Sequence, residues 1–226
     1  MTIVMDIILS VVLITFGYVY TCYYFSEKKL ESIRTEKLDK ELLKLNKNRL
    51  VYISFNVLVA VSLISVFQMV FYLDLISQLR LLSLVLIMVP MAAVDFKVQK
   101  IPNQLLICGL MIRVVLLGIE MFISFSKGID LLINGIIGAL VIGIFFLVMF
   151  FVFRNSIGMG DIKLFALMGL YQGIWGVVNS VFFSLLVSFF VSLFLLITKR
   201  KQRGDSIAFG PSILLGAIAA IALSGM

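Results

Sequence analysis

The sequence predicts an all-α polytopic membrane protein of about eight transmembrane helices. Three observations predict it. The 226 residues are 62% hydrophobic, with a mean hydropathy of +1.16, whereas a soluble domain is closer to half apolar. Apolar runs of spanning length recur along the chain, at about 2–25, 50–73, 79–95, 104–123, 129–153 and 207–225, each near the roughly 20 residues that cross a bilayer as a helix. The basic residues gather in the segments between the runs, as the charge rule of membrane topology requires.

The first run, MTIVMDIILSVVLITFGYVYTCYYF, has neither a basic leader nor a small-residue cleavage site, so it reads as a retained helix and not as a signal peptide. Residues 26–49 follow, with eight basic side chains from Lys28 to Arg49. Leu38, Leu42 and Leu45 share a helical face and Glu36 precedes Lys40 by four, which predicts an amphipathic cytoplasmic helix lying on anionic lipid. That sets the N-terminus outside. A single membrane domain results, made of a first helix (1–25), the basic segment (26–49) and a seven-helix core (50–226). Within the core, the stretch from 162 to 198 is too long for one span, and Tyr171-Gln172-Gly173 is the predicted break. With that break Lys97, Lys100, Arg154 and the basic group at 199–203 fall inside, and only Arg80 and Lys127 fall in outside loops. Gly135, Ala139 and Gly143 form a small-residue stripe suited to close helix packing.

Several function classes are excluded. The net charge of +7 reports topology, so nucleic acid is not the expected partner. Histidine is absent, which removes Ser-His-Asp and Cys-His catalysis. Cys22 and Cys108 lie far apart in separate apolar runs, with neither disulfide nor zinc spacing. No metal site is expected.

Charges within a membrane are costly, so each is a functional hypothesis. Of the acidic side chains, Asp95, Glu120 and Asp161 require explanation. Asp95 ends LLSLVLIMVPMAAVD, just before a short turn leading to Pro102, which suits a helix start. Asp161 follows Gly158-Met159-Gly160. Both fall at cytoplasmic helix ends, at matching depth. Asp161 also fits a helix N-cap, and Asp95 an interfacial anion beside Lys97. Two carboxylates within reach of each other do not readily both ionise. The ionised one can draw a proton from water, while the protonated one can hydrogen-bond a scissile carbonyl and then protonate the leaving amine. Glycines at 158 and 160 would let a substrate backbone pass close to Asp161. No cofactor is required.

GMGDIKLFALMGLYQGIWG at 158–176 and VDFKVQKIPNQLL at 94–106 resemble the GxGD and D-x5-IPN elements of the type IV prepilin peptidases. NGIIGALVIG at 134–143 and IAFGPSILLGA at 207–217 resemble further segments of that family. The resemblance implies a membrane aspartyl endopeptidase, multi-pass in the inner or plasma membrane. Such an enzyme removes the leader of a prepilin or pseudopilin at the cytoplasmic face, with Asp95 and Asp161 as the catalytic pair. Gly158, Gly160, Pro102, Asn103 and Lys163 would shape the site or bind substrate. Pilus, competence, secretion and archaeal flagellin systems all remain open as sources of the substrate. Many relatives carry paired CxxC motifs after the first helix, tied to zinc and to N-methylation. Residues 26–49 contain no cysteine, so methyl transfer is not carried over. Ala208 stands where proline often precedes Phe-Gly-Pro. Arg113, near the middle of its helix, either receives a substrate carboxylate or pairs internally with Glu120 two turns away. Two other readings compete. A presenilin-like protease also uses GxGD, but with YD and PAL elements that this sequence lacks. A transporter or assembly scaffold would hold its carboxylates nearer the midplane.

Overall fold

The computed structural model describes residues 74–152, 158–198 and 208–224, with helical positions between 11 and 21. Among them are five helices: α1 Leu75–Val98, α2 Asn103–Ile123, α3 Phe125–Val152, α4 Met159–Ile197 and α5 Gly210–Ser224. No described residue is in a strand, and the first four helices are long and apolar enough to cross a membrane. The described residues are all-helical apart from turns and caps, and their apolar helices make the protein a multi-pass membrane protein. The basic segment 26–49, the run at 50–73, Arg154 and the cluster at 199–203 lie outside the described residues, and the eight-span count and the orientation depend on them.

α1 is the central helix. Every residue from Leu81 to Ala92 is buried, so it shows none of the one-sided patterning of a surface helix. α2, α3 and the second half of α4 instead turn large apolar side chains outward, among them Val114, Ile144, Phe151 and Phe189. An outward apolar face needs no cover when lipid is the solvent.

α4 has 39 residues, which would make a straight rod of about 58 Å, nearly twice the hydrocarbon thickness. It is broken at Gly173, where φ is 71° and ψ is −174°. That conformation is open to glycine and strained for other residues. The break falls within the predicted Tyr171-Gln172-Gly173 group. The small-residue face of α3 packs against it: a Cβ on Gly135 would lie 2.9 Å from the Leu170 carbonyl oxygen, and one on Gly138 would lie 2.7 Å from Gly173 C. The helix backbones meet only because these side chains are missing.

Two sequence expectations are corrected. Arg80 and Lys127 are not in loops: Arg80 lies in the first turns of α1, and Lys127 lies in α3. Arg80 is accommodated because its guanidinium finds the Glu120 carboxylate of α2 at 3.3 Å. Lys127 is helical because the α2–α3 connection shrinks to Ser124 alone, so α3 begins four residues before the expected run.

Candidate active site

The α1–α2 turn is closed by a left-handed residue. Gln99 has φ 54° and donates its N–H to the Asp95 carbonyl at 2.8 Å, so α1 ends one turn past Asp95. Pro102 caps α2 in extended conformation (φ −71°, ψ 125°). It needs no partner for a missing N–H, and it fixes the chain entering Asn103.

The Asp95 side chain is buried, 5% exposed. Its Oδ2 accepts the Gly210 N–H at 2.7 Å, across 115 residues of sequence, and the Phe209 amide lies beside the carboxylate. These amides open α5, where unpaired N–H groups favour a negative charge. The approach depends on glycine, since a Cβ on Gly210 would fall 2.9 Å from both Cβ and Oδ2 of Asp95.

Asp161 stands in the first turn of α4. It does not cap the helix: Gly158 is the N-cap residue, and its carbonyl accepts the Asp161 N–H at 3.0 Å. A Cβ on Gly158 would sit 3.0 Å from Asp161 Oδ2. Gly158 and Met159 are exposed and Asp161 is partly so, so this side of the cluster opens outward. The two carboxylates lie within electrostatic range of each other.

Three contacts join the flanking motifs. Gly160 presses on the α1–α2 turn, where a Cβ on it would lie 3.0 Å from Ile101 Cβ. Lys163 Nζ donates to Asn103 Oδ1 at 3.0 Å. One turn after Asp161, the fully buried Phe165 stacks on Phe146 of α3 (4.7 Å between centroids) and meets Phe209 edge-on at 5.9 Å. Phe209 precedes Gly210, so this pair ties the segment bearing Asp161 to the amide that holds Asp95.

Asp95, Asp161, Gly158, Gly160, Pro102, Asn103 and Lys163 are thus brought to one end of the bundle. Arg113 is not. It lies ten residues into α2, about 15 Å along the helix from Asn103, and is buried. Its Nη1 donates to Glu120 Oε2 at 2.8 Å and its Nε to the Leu170 carbonyl at 2.8 Å. The internal pairing with Glu120 is the one the structure contains. Sequence reasoning did not reach the part played by Gly210. The Phe-Gly-Pro run was visible, but a backbone amide has no residue-type signature. Among the described residues, no three His, Cys, Asp or Glu side chains converge on a point that could hold a metal.

Comparison with known proteins places the chain among relatives. The type IV leader peptidase family matches residues 81–197, a stretch carrying both aspartates. A Prepilin leader peptidase/N-methyltransferase of Bacillus subtilis (strain 168) is 30% identical over 148 residues, covering 66% of this chain and 56% of that protein. The chain therefore spans little more than half the length of that curated relative. No solved structure matches the chain.

Proposed function

The chain belongs to the type IV leader peptidase family, and on that premise we propose that it is an aspartic endopeptidase that removes the leader of a prepilin or pseudopilin at the cytoplasmic membrane face. The observation that carries the reading is the convergence of Asp95 from α1 and Asp161 from α4 at one bundle end. The Asp95 carboxylate, from the last turn of α1, meets the N-terminus of α5, Asp161 stands in the first turn of α4, and the two are within electrostatic range.

The mechanism follows from that arrangement. Two neighbouring carboxylates share a proton, because a second negative charge is disfavoured by the first. A water between them gives a proton to the ionised member as it attacks the scissile carbonyl. The protonated member hydrogen-bonds the carbonyl oxygen and later delivers its proton to the departing amine. The open side, at Gly158 and Met159, admits an extended substrate backbone. Lys97 and Lys100, exposed beside the α1–α2 turn, support a cytoplasmic placement of this end. The absence of cysteine from 26–49 favours proteolysis without the methyl transfer in the relative's name.

Co-expression with a prepilin, followed on a gel, tests the reading. Asp95→Asn and Asp161→Asn should each abolish leader removal while inserting normally. Full processing by either variant would refute the dyad.

A further inference from the structure

The break in α4 leaves two backbone groups to be satisfied. In an unbroken helix the Leu170 carbonyl would accept the Ile174 N–H. Here Arg113 Nε of α2 donates to that carbonyl at 2.8 Å, and the Ile174 N–H donates to Asn134 Oδ1 of α3 at 3.2 Å. An unmet backbone group away from water costs several kcal/mol, so the buried Arg113 and the outward-facing Asn134 each answer a need created by the bend. Asn134 also lies directly against it, since a Cβ on Gly173 would fall 2.8 Å from Asn134 Nδ2.

The contacts continue beyond the bend. Arg113 is held by Glu120 at 2.8 Å, and Glu120 also receives Arg80 of α1 at 3.3 Å. Arg113 further lies over the Tyr171 ring, 5.9 Å from its centroid, and the Tyr171 hydroxyl donates to the Gly109 carbonyl at 2.8 Å. One polar line therefore runs from α1 through α2 to the bend. Arg80 precedes Asp95 by roughly 22 Å of helix, and Leu170 follows Asp161 by roughly 13 Å. The two helices that carry the aspartates are joined at the dyad by Phe165, Phe209 and Gly210, and again at depth by this line.

We infer that Arg113 and Asn134 are positioning residues for Asp161: by holding the bend at Gly173 they set the tilt and depth at which residues 159–172 present Asp161 to Asp95. The inference rests on the reading of Asp161 as catalytic. It assigns the buried charge of Arg113 to geometry and not to substrate.

The experiment has two arms. In the first, kcat and KM are measured on a prepilin whose leader the wild-type chain removes. Misplacing a reacting group by about 1 Å costs about 100-fold in rate. Asn134→Ala and Arg113→Gln should therefore lower kcat by about tenfold or more, with KM nearly unchanged. Asn134→Asp, which keeps an acceptor for the Ile174 N–H, should recover most of the loss. The second arm does not depend on activity. In a chain with Cys22→Ser and Cys108→Ser, Gly160→Cys and Ile101→Cys form a disulfide reporter at the contact between the Asp161 segment and the α1–α2 turn. Its oxidation rate should fall when Asn134→Ala is added, at equal amounts of inserted protein. Native kcat, or native cross-linking with a kcat loss matched by loss of folded protein, would overturn the inference. Full activity of Asp161→Asn would instead refute the catalytic reading, while the cross-linking arm would still report on the bend.

Discussion

Gly210→Ala is the sharpest test of how Asp95 is held. The new methyl would fall 2.9 Å from both Cβ and Oδ2 of Asp95 and 3.2 Å from Cγ, inside any normal carbon contact. Rotating the Asp95 side chain does not relieve it, because Cβ is fixed by the α1 backbone. Either α5 retreats, or Asp95 does. Overpacking of this kind costs about 1–3 kcal/mol. If α5 retreats, the 2.7 Å bond from the Gly210 N–H is also lost, and bonds to a charged acceptor contribute about 1.5–3 kcal/mol. The two costs overlap, so a stability loss of about 2–3 kcal/mol is expected. The rate should fall further than stability implies, by about 100-fold for a carboxylate displaced by about 1 Å. Leader removal per inserted enzyme, with thermal unfolding in detergent, separates the two effects. Gly118→Ala is the control, since nothing lies within 4 Å of a Cβ there, and it should process substrate as wild type does. A Gly210→Ala enzyme retaining most of its kcat would show that this amide does not set the carboxylate.

Two further outcomes follow from the packing. Glu120→Gln leaves the guanidinium groups of Arg80 and Arg113, both largely buried, without their shared carboxylate, and should cost about 3–5 kcal/mol. Thermal unfolding measures it, and a loss below about 1 kcal/mol would mean that water reaches the pair. Phe165→Ala removes a fully buried ring that contacts both Phe146 and Phe209 and should cost about 3–5 kcal/mol. Unchanged stability would place the ring outside the packed core.

The helices were legible because lipid imposes length: runs near 20 residues could be counted, and one of nearly twice that length required a break. Glycine marked the place, being the residue that tolerates φ 71°. Helix starts were less legible. α3 begins at Phe125 because the turn before it contracts to Ser124, and composition does not announce so short a turn. Arg80 was misplaced for a clear reason. Charge in a membrane protein is assigned to loops by default, and the exception depends on Glu120, 40 residues away and on another helix. The two aspartates were visible as acids at the edges of apolar runs. The amide that holds Asp95 was not, since its donor is backbone and its partner is 115 residues distant.

A pair of carboxylates built from the ends of separate helices has no local chain to fix its geometry, so close approach must be permitted from each side by a missing side chain. Gly158, Gly160 and Gly210 do this against three different partners, and the partners predict an order of damage when each is changed to alanine. At Gly210 the methyl meets Asp95 Cβ, which cannot rotate away. At Gly158 it meets only the tip of Asp161, with Oδ2 at 3.0 Å and Cγ at 3.7 Å, so a side-chain rotation relieves the contact but moves a carboxylate oxygen of the proposed dyad. At Gly160 it meets Ile101, with Cβ at 3.0 Å, in a short turn that can shift without touching either carboxylate. Rates of leader removal per inserted enzyme should therefore fall most for Gly210→Ala, less for Gly158→Ala and least for Gly160→Ala. If Gly160→Ala proved the most damaging, the glycine there would be serving the substrate's approach and not the packing of the turn.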